Sequence, residues 1–292
     1  QKALQEPLPW LRRLVKASMP ERHAKGKARE DAVLATLEDE EISQTMEREI
    51  KKRGVDVRTG VTVEEVIRHP DVVAVHFRDG LSLNVEQVLV SVGRGFNSRG
   101  IGLEAVGVEV GSRGQILVND RMETNVPGVY AIGDVVGKAM LAHVASTQGK
   151  VAVENLLGHP RTMNYDVIPA GIFTLPEIGR VGLTEQQAAE RSLAAGKDPK
   201  QSLKVGRFRY SGLGKAQATG DMQGLVKVIA EAGSDRILGV HIVGAHAADL
   251  VHEAALAMQV GATATAVGDM IHAHPTLAEG LMEAMEDVHG HA

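Results

Sequence analysis

The chain has 292 residues, 43% apolar and 24% charged, with a formal net charge of −5 and no cysteine. This is the composition of a globular protein with room for substantial cores. It excludes disulfide staples, thiolate metal sites and any cysteine nucleophile or redox pair within these residues, and gives no reason to expect nucleic acid as a partner. No apolar run approaches the roughly 18 residues a bilayer span needs and the N-terminus carries no signal-peptide pattern, so no membrane partner and a cytoplasmic location are expected.

Residues 1–30 have poor periodicity and mostly positive charge, which reads as an irregular leader. From Glu38 to Arg53, apolar residues at Ile42, Met46 and Ile50 mark one face of a helix, and Gly54 closes it. The β-branched runs Val55–Val57, Val61–Val63, Val72–Phe77 and Val85–Val92 follow, divided by the turn signals His69-Pro70-Asp71 and Asp79-Gly80. They predict a β-meander whose last strand ends at Gly93. Residues 94–128 are loop-rich, with one strand at Ile116–Val118. Val129 to Asp134 reads as an apolar strand ending in Gly-Asp, and a helix is predicted from about Leu141 to Leu157, stopped by Gly158-His159-Pro160.

The texture changes near residues 160–168. Thr184 to Ala195 reads as a helix with Thr184 as N-cap, and Leu203 to Tyr210 as a strand. Gly224–Ala230 and Ile237–Val243 read as a hairpin, Ala247–Gln259 as an alanine-rich helix, and two short helices flank a His-Pro turn.

That turn is His272-Ala273-His274-Pro275-Thr276-Leu277-Ala278-Glu279. Proline stiffens the backbone and holds the preceding residue extended. His274 can then be a base near neutral pH, oriented by Glu279 on its second ring nitrogen. The same residues also read as a capping box, with Thr276 as N-cap and Glu279 at the third helical position. The two readings are compatible.

The Gly133-Asp134 strand end is the second candidate. Ligands of α/β sheets bind at the carboxyl ends of strands, where Asp134 could accept hydrogen bonds from a polyol. The N-terminus of the next helix, Met140-Leu141-Ala142-His143, offers backbone N–H groups and a positive dipole end. Alternatively, Asp134 merely caps a turn. No metal site is assigned: His272 and His274 are only two apart, and His289 and His291 read as solvated tail residues.

From about residue 36 onward the chain resembles the pyridine nucleotide–disulfide oxidoreductase family of flavoproteins. The matching stretches run in the family's order. They are Thr124-x5-Tyr130-Ala131-Ile132-Gly133-Asp134, Met140-Leu141-Ala142-His143-x4-Gln148-Gly149, Phe173-Thr174-x-Pro176-Glu177-Ile178-x2-Val181-Gly182-Leu183-Thr184-Glu185, Leu213-Gly214-Lys215-Ala216, Ile237–Gly244 and the His272–Glu279 octet. The octet favours the lipoamide branch, the dihydrolipoyl dehydrogenases, over the glutathione and mercuric branches.

The resemblance implies FAD and NAD as cofactors. Asp134, with Gly133 beside it, would hold the ribityl chain of FAD, and Met140 to His143 would place amides at the flavin's pyrimidine edge. His274 would exchange a proton with a dithiol and Glu279 would orient it. Gly93 matches a position close to NAD and Val61 another; Gly93 reads equally well as a turn glycine. The family's composite active site implies a homodimer, with the Ala247–Gln259 helix and its successors at the interface. The branch implies the lipoyl domain of a 2-oxo acid dehydrogenase or glycine cleavage complex as partner.

The implied fold is α/β and α+β. Residues 31–95 would end an NAD-binding domain, 96–165 would end an FAD-binding domain, both Rossmann-like, and 166–292 would form the interface domain. The family's two Gly-x-Gly-x-x-Gly loops and its redox Cys-x4-Cys are not in this sequence. The chain is therefore expected to be a C-terminal portion, inactive alone. Two alternatives stay open: an inert remnant or dimerisation module, and a different flavin disulfide reductase or transhydrogenase.

Overall fold

A computed structural model describes residues 30–33, 38–91 and 93–291. Most of the leader reading and Val92 lie outside them. The chain forms two compact units: the segment up to Ser91 together with Pro169 onward, and Val92–Ile168.

The first unit centres on a five-stranded antiparallel sheet. β1 (Glu30–Val33) pairs in parallel with β2 (Val55–Arg58), and β3 (Val63–Arg68), β4 (Val73–Phe77) and β5 (Ser82–Val85) make a small meander. The large sheet takes β6 (Ala170–Ile172), β7 (Glu177–Gly182), β8 (Leu203–Arg209), β9 (Leu225–Glu231) and β10 (Ile237–Gly244) in the order β6-β7-β10-β9-β8. β9 and β10 are buried almost throughout, so both faces of the sheet centre are covered.

Alternation along the strands sorts what covers each face. Ile178, Leu225 and Val243 point one way, onto Ile42 and Met46 of α1 (Glu40–Lys52). Gly179 and Gly206 point the other way. A Cβ on Gly179 would strike the Ala247 carbonyl, where α6 (Ala247–Val260) begins. One on Gly206 would strike the Ala284 carbonyl of α8 (Glu279–Asp287). The missing side chains let both helices sit close on that face, fixing where their termini project. The remaining helices are α2 (Ala142–Leu156), α3 (Glu185–Ala194), α4 (Pro199–Ser202), α5 (Gly214–Thr219) and α7 (Ala264–Gly268).

Several sequence expectations shift. The fourth meander strand lies at Ser82–Val85, before the predicted Val85–Val92, and Leu89 and Val90 are exposed. The strand predicted at Val61–Val63 begins at Val63 and runs to Arg68. Ile116 and Tyr130 make only isolated bridges, to Val110 and Glu123. The apolar run Val129–Asp134 ends in a 3-10 turn, Gly133–Val136, with no extended ladder. Among the described residues these runs have no neighbouring strand to complete them. β-Propensity needs such a partner to become a strand.

Candidate active site

α8 starts at Glu279, with Ala278 as its N-cap. The predicted Thr276 cap is half formed. The Thr276 N–H donates to Glu279 Oε2 at 2.7 Å, but its hydroxyl donates to the Ala273 carbonyl, also at 2.7 Å, and closes the turn. Glu279 uses its other oxygen, Oε1, at 2.7 Å from His274 Nδ1. One carboxylate therefore both fixes the backbone of the turn and orients the ring. The Thr276 amide and His274 hold the Glu279 carboxyl below the usual carboxylate range, so it stays ionised. With Nδ1–H donated to Glu279, Nε2 of a neutral His274 is a lone-pair acceptor. The side chain is 74% exposed. The arrangement can take a proton from a ligand outside and stabilise the cation that results.

The second unit holds the Gly133–Asp134 candidate. Gly133 has a φ of 76°, and its N–H donates to the buried Gln148 Oε1 at 2.6 Å. Gln148 in turn donates from Nε2 to the Tyr165 hydroxyl at 3.0 Å. The 3-10 turn is thereby fixed against α2. Asp134 is exposed, and its carboxylate has no partner among the described residues. α2 opens after Leu141 with no side-chain cap; Met140, Ala142 and His143 are exposed. A carboxylate beside an uncapped helix start, with a backbone position that accepts close approach, suits a polyol and an electron-rich ring edge.

Gly93 has a φ of 109°, a conformation that favours glycine in its own right. Val61 packs against the Val75, Phe77 and Val85 core of the small meander. His274 and Glu279 are thus brought together, as are Gly133, Asp134 and the start of α2, whereas Gly93 and Val61 belong to different units. Sequence reasoning missed Glu253, which receives His272 across 19 residues; no local spacing signals that contact.

Comparison with known proteins gives the family. Residues 27–149 match the family described as pyridine nucleotide-disulphide oxidoreductase, and 168–285 match its dimerisation domain. The chain belongs to the pyridine nucleotide-disulphide oxidoreductases. Among its relatives are dihydrolipoyl dehydrogenases. That of Thermus scotoductus (strain ATCC 700910 / SA-01) is 42% identical over 259 residues, covering 87% of this chain and 54% of the relative. That of Bacillus subtilis (strain 168) is 40% identical over 260 residues, covering 87% and 53%. The crystal structure of LpdA from Mycobacterium tuberculosis superposes with a TM-score of 0.76 at 26% identity, over 86% of this chain and 53% of that one. The chain spans about half the length of the curated relatives it matches.

Proposed function

We propose that this chain supplies the proton-transfer and dimerisation half of a flavin-dependent dihydrolipoyl dehydrogenase. The observation that carries this reading is the exposed His274 ring, held at Nδ1 by an ionised Glu279. In the reaction a dithiol loses two electrons and two protons to a redox disulfide, and the electrons pass on to NAD. His274 Nε2 would take the proton released as the dithiol is oxidised, and Glu279 would stabilise the imidazolium. Asp134 would hold the sugar-alcohol chain of FAD, and the start of α2 would face the ring edge where negative charge collects. When bound, FAD supplies the two-electron relay between sulfur and nicotinamide. Gly93 and Val61 would lie toward NAD. Residues 31–95 would come from the NAD-binding part, 96–165 from the FAD-binding part and 166–292 from the interface domain.

These residues hold no cysteine, so the redox sulfur pair lies outside them. A dimer would provide it, with this chain's base meeting the partner's disulfide. The exposed apolar side chains Leu256, Val260, Met270 and Ile271, around α6 and the His-Pro turn, support such an interface. The dithiol would arrive on the lipoyl domain of a 2-oxo acid dehydrogenase or glycine cleavage complex, in the cytoplasm.

The test is a mixed dimer. This chain is co-expressed with a full-length dihydrolipoyl dehydrogenase whose own base histidine is replaced. Dihydrolipoamide oxidation should return, and His274→Ala in this chain should lower it by about 10²–10⁴-fold. The homodimer of this chain should show no turnover. No recovery in the mixture, or equal recovery with His274→Ala, would remove His274 from the role.

A further inference from the structure

Two residues ahead of the base stands a second histidine with no task so far. His272 points inward, with its side chain only 3% exposed. Its Nε2 lies 2.8 Å from Glu253 Oε1 on α6, and its Nδ1 lies 2.8 Å from the Met270 carbonyl oxygen. A carbonyl only accepts, as does an ionised carboxylate, whereas a neutral imidazole has a single N–H to donate. The pair therefore holds one proton more than a neutral ring beside a carboxylate. Either the ring carries a hydrogen on each nitrogen, or Glu253 keeps its own and donates it to Nε2. In both arrangements both nitrogens are engaged, and none is left for a substrate or a metal.

We propose that His272 and Glu253 are positioning residues for His274, forming a proton-bearing clamp that ties the leading arm of the His-Pro turn to α6. The proposal rests on His274 being the base. The trailing arm is already tied to α8, through Glu279 and the Thr276 amide. α6 and α8 sit on the same face of the sheet, so the base hangs between two fixed points. Glu253 faces His272 directly, and Glu279 and His274 lie across the turn, close enough for His272 to act on Glu279 electrostatically. Glu253, Leu256 and Val260 recur at spacings that place them on one stripe of α6. Leu256 and Val260 are exposed. The clamp thus starts from the helix stripe that a second subunit would cover, and it sets the imidazole relative to that surface.

Histidine-ring NMR on the 292-residue chain tests the clamp without turnover. The unmodified chain should show a ring N–H from His272 that exchanges slowly with water. Glu253→Ala should abolish that protection and broaden the His274 ring signals. Glu253→Gln should restore both, because its amide can donate to Nε2 of a neutral ring whose Nδ1–H still serves Met270. In the mixed dimer, Glu253→Ala should lower kcat by roughly ten- to a hundredfold, the scale of a misplaced reacting group. KM should stay within about twofold, since ground-state binding is untouched. The Gln variant should recover most of the rate. The proposal is overturned if the unmodified chain has no protected His272 N–H, or if Glu253→Ala leaves both the His274 signals and kcat unchanged. If the unmodified chain supports no turnover in the mixture, it is the base assignment that fails, and the ring spectra still decide the clamp.

Discussion

His241 shows how one side chain ties stability to pH. It is fully buried in β10, its Nε2 donates to the Leu183 carbonyl at 2.9 Å, and Nδ1 has no partner among the described residues. Burial holds it below the ordinary imidazole range; the Leu183 carbonyl and Asp39 pull upward, and Lys227 and Arg180 push further down. The unfolded chain, with a value near 6.5, therefore binds this proton before the folded one does. Its contribution is complete above about 6.5 and shrinks as the pH falls through that point toward the folded value. Thermal midpoints should drop from pH 7 to 5, and His241→Gln should flatten that slope. An unchanged slope would assign the acid sensitivity elsewhere. At this scale the sequence was legible where partners are near in the chain. His274 and Glu279 are five apart on one turn, and their chemistry can be read from an octet. His272 and Glu253, or His241 and Leu183, meet only because sheet and helices bring them together.

At the scale of elements, the seating of α1 decides the architecture of the first unit. Arg207, Lys227, His241 and Arg180 stand in register across β8, β9, β10 and β7, so their side chains share one face. The acidic starts of α1 and α3 answer this row. Asp39 Oδ1 lies 2.7 Å from Lys227 Nζ, Glu185 Oε2 lies 2.7 Å from the same ammonium, and Glu38 pairs with Arg180 at 2.8 Å. Burial alone would lower the Lys227 ammonium's proton affinity, but the hydrogen bonds to Asp39 and Glu185 outweigh it and raise the value. The exposed members, such as Arg207 to Glu41 at 2.7 Å, contribute at most about 1 kcal/mol. The buried member dominates, because removing one partner strands a charge. Lys227→Met should destabilise by about 3–5 kcal/mol in urea unfolding, and adding Asp39→Asn should cost less than the sum of the two single changes. Strict additivity would mean that the pair is not coupled. The helix itself was legible, since Ile42, Met46 and Ile50 repeat every four residues and Thr184 announces α3 through a complete capping box. β7 was not: Glu-Ile-Gly-Arg-Val-Gly hides its alternation because each face carries a glycine, Gly179 on one and Gly182 on the other. The run Val85–Val92 misled for the opposite reason, being rich in β-formers without a strand beside it.

For the whole molecule, the first unit is discontinuous in sequence. The chain leaves it at Ser91 and returns at Pro169. Ile42 and Met46 share a core with Ile178, Leu225 and Val243, and the Lys227 pair is buried beside it. Cutting within residues 92–168 should therefore leave the two flanking pieces associated through a sizing column, whereas Lys227→Met combined with Met46→Ala should let them separate. Two separate peaks from the unsubstituted chain would contradict the shared core. A linear reading divides the chain near residue 165 and cannot foresee this, because composition shows where texture changes and not which distant segments pack together. One carboxylate carries the junction further. Asp39 Oδ1 takes the Glu41 N–H at the start of α1 and Oδ2 takes the Glu185 N–H at the start of α3, both at 3.1 Å. Fraying at either helix start disturbs the acceptor of the other. In deuterated solvent the amide protons of Glu41 and Glu185, so far apart in the chain, should be replaced in step.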